Sequence, residues 1–537
     1  MMETFSLREL VAQMVVVRAS GYLFDHQIRY PEWEPPMSKL RDWLQNLGVG
    51  GVILVGGSAA ELAARSQQLQ SWAKFPLLLA ADVEEGVGQR FPGATWFPPP
   101  MAISAVAKQD FSKALHYAEQ MGAATAREAV AIGLNWVLAP VVDVNNNPDN
   151  PVINVRAFGE TPETVSQLAA AFIRGVHQYS VLTTAKHFPG HGDTAVDSHL
   201  QLPVLPHSLA RLADIELPPF REAIAAGVDS VMSAHLLIPA WDSERPATLS
   251  QKILTGQLRQ ELGFEGLIVT DALVMGAIAN EYGSEEAAVL AVEAGADVLL
   301  MPLDPEAAIQ AVCEAVTQGR IEISRIQASV NRIWQAKTKV VLSLQQRRGP
   351  EKHKVAEAVL PATFFELPSA FTTAANIIRD SLVVGGSVPL QVEKQPGHES
   401  LRNLIVVDDI LGCEFLGRHA PAIAVPEQLG YNLHLIDDRT LAACEEGEPQ
   451  GFSPTLLQIF IRGNCFRGSA GLTQAAQDWF KKLLKTGELQ ATVIYGSPYI
   501  IECFLPHLPR HIPYVFSYGQ MPLAQAIALE TLFGILS

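Results

Sequence analysis

Leu182-Thr-Thr-Ala-Lys-His187, the amphipathic stretch Leu209–Ala226 and Ser230-Val-Met-Ser-Ala-His235 make one strand–helix–strand unit, and this unit decides the fold. Its two β-rich runs have strand length, and each ends in an ionisable side chain. Outward from it the pattern repeats. β-rich runs stand at Met14–Arg18, Gly50–Val55, Leu77–Val83, Trp136–Val144, Leu267–Asp271 and Asp297–Met301, which brings the series to eight. Helix-like stretches at Ala59–Trp72, Phe111–Ile132, Pro162–His177, Glu285–Ala294 and Pro305–Thr317 lie between them. Eight such units in one unbroken series predict an α/β chain that closes as a (β/α)8 TIM-type barrel; an open doubly wound sheet is the alternative.

A last helix at Ser324–Leu342 runs into Gln345-Gln-Arg-Arg-Gly-Pro-Glu-Lys-His-Lys354, a linker by its hydrophilic composition and its Gly349-Pro350 pair. Beyond it, strand-like runs recur at Ser381–Val384, Leu404–Asp408, Leu433–Ile436, Leu456–Ile461, Thr492–Tyr495 and Val515–Tyr518, with a helix at Ala470–Leu484. The expected organisation is a barrel over 1–345, a linker over 346–370 and a smaller open α/β sandwich over 371–537.

Composition narrows the function. Hydrophobic residues are 48% of the 537 and charged residues 18%, a globular balance able to bury large cores. No apolar run approaches the ~20 residues a membrane-spanning helix needs. A net charge of −17 repels phosphates, so neither a nucleic-acid nor an anionic-membrane partner is expected. The first residues lack a basic region followed by an apolar run. Cys313, Cys413, Cys444, Cys465 and Cys503 are odd in number and show no metal spacing, which together points to a reducing cytoplasm.

The chemistry gathers at the strand ends, where a barrel builds its active site. The third run ends in Asp82, with Glu84, Glu85 and Arg90 behind it. The fourth leads into Asp143-Val-Asn-Asn-Asn-Pro-Asp-Asn-Pro-Val-Ile-Asn-Val-Arg156, the sixth ends in His235 and the seventh in Asp271. Taken singly, Asp271 reads equally well as a helix cap. The fifth run opens Lys186-His-Phe-Pro-Gly-His-Gly-Asp-Thr-Ala-Val-Asp-Ser-His199, the densest group. His187 and His191 have the spacing of a helical zinc pair, but Pro189 and Gly190 disfavour a helix there, and no metal or other cofactor is expected. Asp197 and His199 are two apart, so in an extended segment they project to one side. A carboxylate beside an imidazole orients it and raises its pKa, as a proton donor requires; a loop-stiffening hydrogen bond is the other reading.

The whole of Lys186–His199 resembles the signature of the β-N-acetylglucosaminidases of glycoside hydrolase family 3. Asn150-Pro-Val-Ile-Asn-Val-Arg-Ala-Phe-Gly159, the Thr270-Asp271 strand end and Asp82…Arg90 match the same family in the same order, over about residues 5–345. The resemblance implies a retaining hydrolysis of terminal β-linked N-acetylglucosamine. It implies Asp271 as nucleophile and His199, partnered by Asp197, as acid and then base. It also implies Asp82, Arg90, Arg156, Lys186, His187 and His235 as substrate-binding residues. Lys186 and Arg156 are expected to keep Asp271 ionised. An imidazole base leaves room for phosphate to replace water as the acceptor. The substrate class implied is a small oligosaccharide, a peptidoglycan (muropeptide) or chitin fragment; the oligomeric state is not readable. One departure is Val87, where the family carries an inner Arg. The competing readings are a β-glucosidase or β-xylosidase of the same family, a metal-dependent hydrolase and a non-catalytic sugar-binding protein.

Overall fold

The computed structural model describes residues 5–198, 200–347, 368–392, 401–410, 413, 415–437, 452–462 and 474–535. All eight expected strands of the first half are present: β1 (Val15–Ser20), β2 (Gly51–Val55), β3 (Leu78–Ala81), β4 (Trp136–Val137), β5 (Thr184–Phe188), β6 (Ser230–Ser233), β7 (Leu267–Thr270) and β8 (Leu299–Leu300). They form two parallel ladders, β4-β3-β2-β1-β8 and β5-β6-β7. Single bridges join the ladders at both sides, Trp136↔Leu182 and Val141↔Lys186 on one, Val269↔Val298 on the other. The fourth strand is shorter than the expected Trp136–Val144, because the chain leaves the ladder at the Ala139–Pro140 peptide, where proline has no N–H to donate.

Helices cover these ladders as their sequences dictate. Ala59–Trp72 starts at a capping box, with the Glu61 amide donating to Ser58 Oγ (3.2 Å) and the Ser58 amide to Glu61 Oε2 (2.8 Å). Such a cap contributes about 1 kcal/mol. Pro162–Val176 begins on Thr161 with proline in its first turn and buries Val165, Leu168, Phe172, Ile173 and Val176. It packs on Phe111–Ala131 nearly backbone to backbone: a Cβ at Gly122 would meet the Phe172 carbonyl at 2.2 Å, and one at Gly175 the Glu119 carbonyl at 2.0 Å. The stretch expected as one helix at Leu209–Ala226 is an α–π–α succession, with the π segment at Leu212–Glu216 just ahead of Pro218 and Pro219. The helical segment between β6 and β7 is another π segment, Lys252–Glu261.

The helix from Ile323 runs through Arg347, past the expected start of the linker at 346; the rest of that linker lies almost wholly outside the described residues. The second half has all six expected strands: β9 (Val383–Gly385), β10 (Leu401–Val407), β11 (Tyr431–Ile436), β12 (Thr455–Ile461), β13 (Leu489–Gly496) and β14 (Tyr514–Ser517). Their order is β11-β10-β12-β13-β14-β9, parallel except for the antiparallel β14–β9 pair. The helix Pro368–Ser381 ties this sheet to the first half, where Tyr117 donates to Asp380 (2.6 Å) and Lys113 pairs with the same carboxylate (2.6 Å). Among the described residues, no helix is long and apolar enough to cross a membrane.

Candidate active site

The ends of β3 and β5, with the loop after β4, converge on a four-membered ionic cluster. Lys186, on β5 and 1% exposed, donates from Nζ to Asp82 Oδ1 and Glu84 Oε1, both at 2.7 Å. Arg156 holds Glu84 in a fork, Nε to Oε2 and Nη2 to Oε1, both at 2.8 Å, and its Nη1 donates to the Val152 carbonyl. Burial pushes the Glu84 carboxyl up, but Arg156 and Lys186 outweigh it and hold the group well below the usual carboxylate range. Burial likewise lowers the Lys186 ammonium, while Asp82 and Glu84 raise it further than burial takes it down. Two cations and two anions so placed make a neutral but strongly polar floor, with fixed donors and acceptors for hydroxyl and amide groups. Arg90 stands at the exposed outer edge and donates from Nε to the Asp82 carbonyl (3.0 Å). Val87 is fully buried in the core beneath it.

A second buried network shapes the loop after β5. Asp143, 0% exposed, accepts the amides of His187 (3.1 Å) and His191 (2.7 Å) and lies 2.8 Å from His187 Nδ1. A carboxylate only accepts, so Nδ1 carries the proton and His187 Nε2 is left for the pocket. His191 is a neutral strut. Thr194 donates its hydroxyl to the His191 carbonyl (3.2 Å), so His191 Nδ1 donates to Thr194 Oγ1 (2.8 Å) and Nε2 accepts from Ser198 Oγ (3.0 Å). Burial in the first place, with His187 close by, lowers its pKa to about 4. Asn150 Nδ2 donates to the carbonyls of His191 (2.8 Å) and Gly192 (2.9 Å), and Gly192 lies so close to Val144 that a Cβ would meet its carbonyl at 1.7 Å. Farther along, Asp193 pairs with His207 and Arg211, both at 3.0 Å.

This network fixes the segment that carries Asp197. Asp197 is buried (2% exposed), and its carbonyl accepts the amides of Leu200 and Gln201, both at 3.0 Å. His199 itself lies outside the described residues. The ring nitrogens of these two histidines are turned to protein partners, His191 spending both on hydroxyls and His187 turning Nδ1 to Asp143. Among the described residues no group of three His, Cys, Asp or Glu side chains could hold a metal.

Asp271 ends β7, half-buried, with Oδ1 accepting the Ala272 amide (2.7 Å). It caps no helix: the next one is Gly276–Tyr282, and Met275 occupies its N-cap. Asp271 is close enough to His191 to act on its charge. His235, 0% exposed, donates from Nε2 to the Ala272 carbonyl (3.1 Å) and faces Thr248 Oγ1 at 2.8 Å through Nδ1, so it steadies the backbone next to Asp271. Lys186 and Arg156, expected as cationic partners of Asp271, make their ion pairs with Asp82 and Glu84. Two carboxylates at the centre of these networks were absent from the expected set. Glu84 and Asp143 were visible only as charges near strand ends, with nothing local to show that they turn inward.

The chain belongs to glycosyl hydrolase family 3. The family's N-terminal domain profile matches residues 6–336, and the bacterial C-terminal domain profile of the same family matches residues 394–534. The chain is 35% identical over 337 residues to a β-hexosaminidase A of Pseudoalteromonas piscicida, covering 57% of this chain and 56% of that one. The chain thus spans little more than half the length of that relative. It is 30% identical over 397 residues to a β-N-acetylglucosaminidase/β-glucosidase of Cellulomonas fimi, with 71% of this chain and 67% of the relative covered. Among solved structures, a family 3 β-N-acetylglucosaminidase from Paenibacillus superposes with a TM-score of 0.80 at 29% identity, covering 99% of this chain and 98% of that one.

Proposed function

We propose that the protein is a retaining exo-β-N-acetylglucosaminidase that removes terminal β-linked N-acetylglucosamine from small oligosaccharides. The observation that carries this reading is the ionic cluster at the ends of β3 and β5. The Asp82–Glu84–Lys186–Arg156 cluster offers fixed polar groups for one sugar ring. Asp271, which follows β7, acts on the charge of His191, and His191 lies in the same loop as the buried Asp197. The names of the relatives support the same substrate class. The eight strands act as one closed (β/α)8 barrel through the bridges between their ladders, with residues 1–345 as the catalytic unit and 371–537 as the smaller sandwich.

In the mechanism, the ring is seated by Asp82, Arg90, Arg156, Lys186 and His187, with His235 holding the Ala272 backbone. Asp271 attacks the anomeric carbon as His199, oriented by Asp197, protonates the departing oxygen. The glycosyl–Asp271 ester is then hydrolysed by water that His199 deprotonates. A neutral imidazole does not repel an anion, so phosphate is a possible acceptor in the second step. The described cysteines Cys313, Cys413 and Cys503 form no disulfide among the described residues, which suits a reducing cytoplasm, where peptidoglycan or chitin fragments would be the substrate. Initial rates on paired 4-nitrophenyl β-N-acetylglucosaminide and β-glucoside test the reading; it predicts a strong preference for the former. The Cellulomonas relative favours a second reading, in which the glucoside is also turned over. A clear preference for the glucoside would overturn the first.

A further inference from the structure

The second half of the chain meets the first in two kinds of place. Away from the strand ends, Asp380 on the helix Pro368–Ser381 holds Tyr117 and Lys113. At the strand ends, the carboxyl edge of the second sheet presents two side chains to the loops after β3 and β4. Arg462 directly follows β12, and Tyr499 lies in the first turn of the helix Pro498–Phe504 that follows β13. β12 and β13 are neighbours, with Ile461 in register with Gly496, and the Ser497 amide donates to the Ile461 carbonyl (3.0 Å). Arg462 and Tyr499 therefore rise from one hydrogen-bonded platform, their roots about one strand spacing apart.

Arg462 pairs through Nη2 with Glu85 Oε1, and Glu85, 1% exposed, spends its other oxygen on the Trp96 indole (3.0 Å). The Glu85 backbone is fixed as well: its amide donates to Gln89 Oε1 (3.0 Å) and its carbonyl accepts the Phe97 amide (2.8 Å). Glu84, the carboxylate that joins Arg156 to Lys186, shares a peptide bond with this anchored residue. Without Arg462, Glu85 would be a buried carboxylate with no cation, and the segment would have to move or take up a proton. Tyr499 acts on the other member of the Glu84–Arg156 fork. Its hydroxyl donates to Glu160 Oε1 (2.9 Å) and accepts from Asn145 Nδ2 (2.9 Å). Asn145, 1% exposed, accepts the Asn154 amide on Oδ1 (2.8 Å). That bond helps hold Asn154 at a φ of 45°, a left-handed conformation that costs about 1–2 kcal/mol. Arg156 is two residues on, in the same 3-10 turn. Each member of the fork is thus backed from the second half, Glu84 by Arg462 through Glu85 and Arg156 by Tyr499 through Asn145 and Asn154.

We propose that Arg462 and Tyr499 are positioning residues for the sugar-binding floor, so that the second half of the chain sets substrate affinity without touching the substrate. The inference rests on the hexosaminidase reading above. It is tested on the full chain by KM and kcat for 4-nitrophenyl β-N-acetylglucosaminide and by calorimetric binding of N-acetylglucosamine. Arg462→Ala should raise KM about tenfold and weaken N-acetylglucosamine to the same degree, with kcat within about threefold of the parent. Tyr499→Phe, which removes only the hydroxyl, should raise KM about threefold in the same way. Asp380→Asn loosens the contact between the halves away from the strand ends and, whatever its effect on the melting temperature, should leave KM within about twofold. An active parent whose KM is unchanged in both Arg462→Ala and Tyr499→Phe would overturn the proposal, as would an Asp380→Asn variant whose KM rises as far as theirs. A parent that turns over no N-acetylglucosaminide would instead overturn the hexosaminidase reading, and the positioning roles with it.

Discussion

Glu84→Gln isolates the role of the carboxylate that joins Arg156 to Lys186. Glutamine keeps the shape but removes the charge and one acceptor oxygen, leaving a part-buried guanidinium with half of its fork and no counter-charge on that side chain. The parent side chain is 4% exposed and makes three charge-assisted contacts of 2.7–2.8 Å. Removing one partner of a buried pair costs about 3 kcal/mol or more, because the remaining charge is left uncompensated. At roughly 2–4 °C per kcal/mol, the melting temperature at pH 7 should fall by about 6–12 °C. If Arg156 and Lys186 seat the substrate as proposed, kcat/KM should drop about a hundredfold, with much of the change in KM. The pH dependence gives the sign. The Glu84 carboxyl is held well below its ordinary value in the folded protein. Its contribution is therefore fully present above the unfolded value of ~4.3 and is lost as pH falls through the lowered folded value. The gap in melting temperature between parent and variant should stay constant from pH 7 to about 5 and close at more acid pH. A variant that melts within a degree or two of the parent at pH 7 and keeps its KM would refute the idea that Glu84 organises the sugar-binding floor.

Three further outcomes are expected. His191 is held neutral at a pKa of about 4, so the unfolded chain takes up a proton that the folded one refuses between about 6.5 and 4. Stability should decline by up to ~1.4 kcal/mol per pH unit as pH falls across that window, and calorimetry should find the slope reduced in His191→Asn. Lys337, 1% exposed, donates to Gln13 Oε1 (2.7 Å), and burial lowers its pKa to about 7. Lys337→Met should raise stability at pH 7 by about 1–3 kcal/mol in urea melts, with the gain shrinking as pH rises toward 10, where the unfolded lysine also loses its proton. Gly192→Ala places a methyl 1.7 Å from the Val144 carbonyl, so the loop holding Asp197 must shift. Activity should fall about a hundredfold while the far-ultraviolet spectrum stays unchanged.

The strand series is legible because the units repeat a short apolar run, and the polar strand ends because several of those runs in the first half lead into ionisable residues. Period and length therefore predict all the strands found among the described residues. What the local pattern does not convey is which of several adjacent charges turns inward. In Asp82-Val-Glu84-Glu85, Glu84 joins the cluster, whereas Glu85 accepts from the Trp96 indole (3.0 Å) and pairs with Arg462 from the other half of the chain. Those partners are 11 and 377 residues away, so neither contact leaves a periodic trace in sequence. Asp143 is a similar case, since its contacts come from His187 on β5 and His191 in the loop after it. Asp271 could be told from a helix cap only after the start of the next helix was known. The π segments escape for a related reason: one extra residue per turn barely alters the apolar spacing from which helices are read.

The central claim is that Asp271 carries the sugar between the two chemical steps. Incubation with a 5-fluoro-N-acetylglucosaminyl fluoride, followed by proteolysis and mass spectrometry, tests it most directly. The account predicts one glycosyl adduct, located on Asp271 in the peptide containing Leu267–Thr270 and absent from Asp271→Ala. An adduct on another carboxylate, or turnover of the reagent with no adduct at any time, would contradict it.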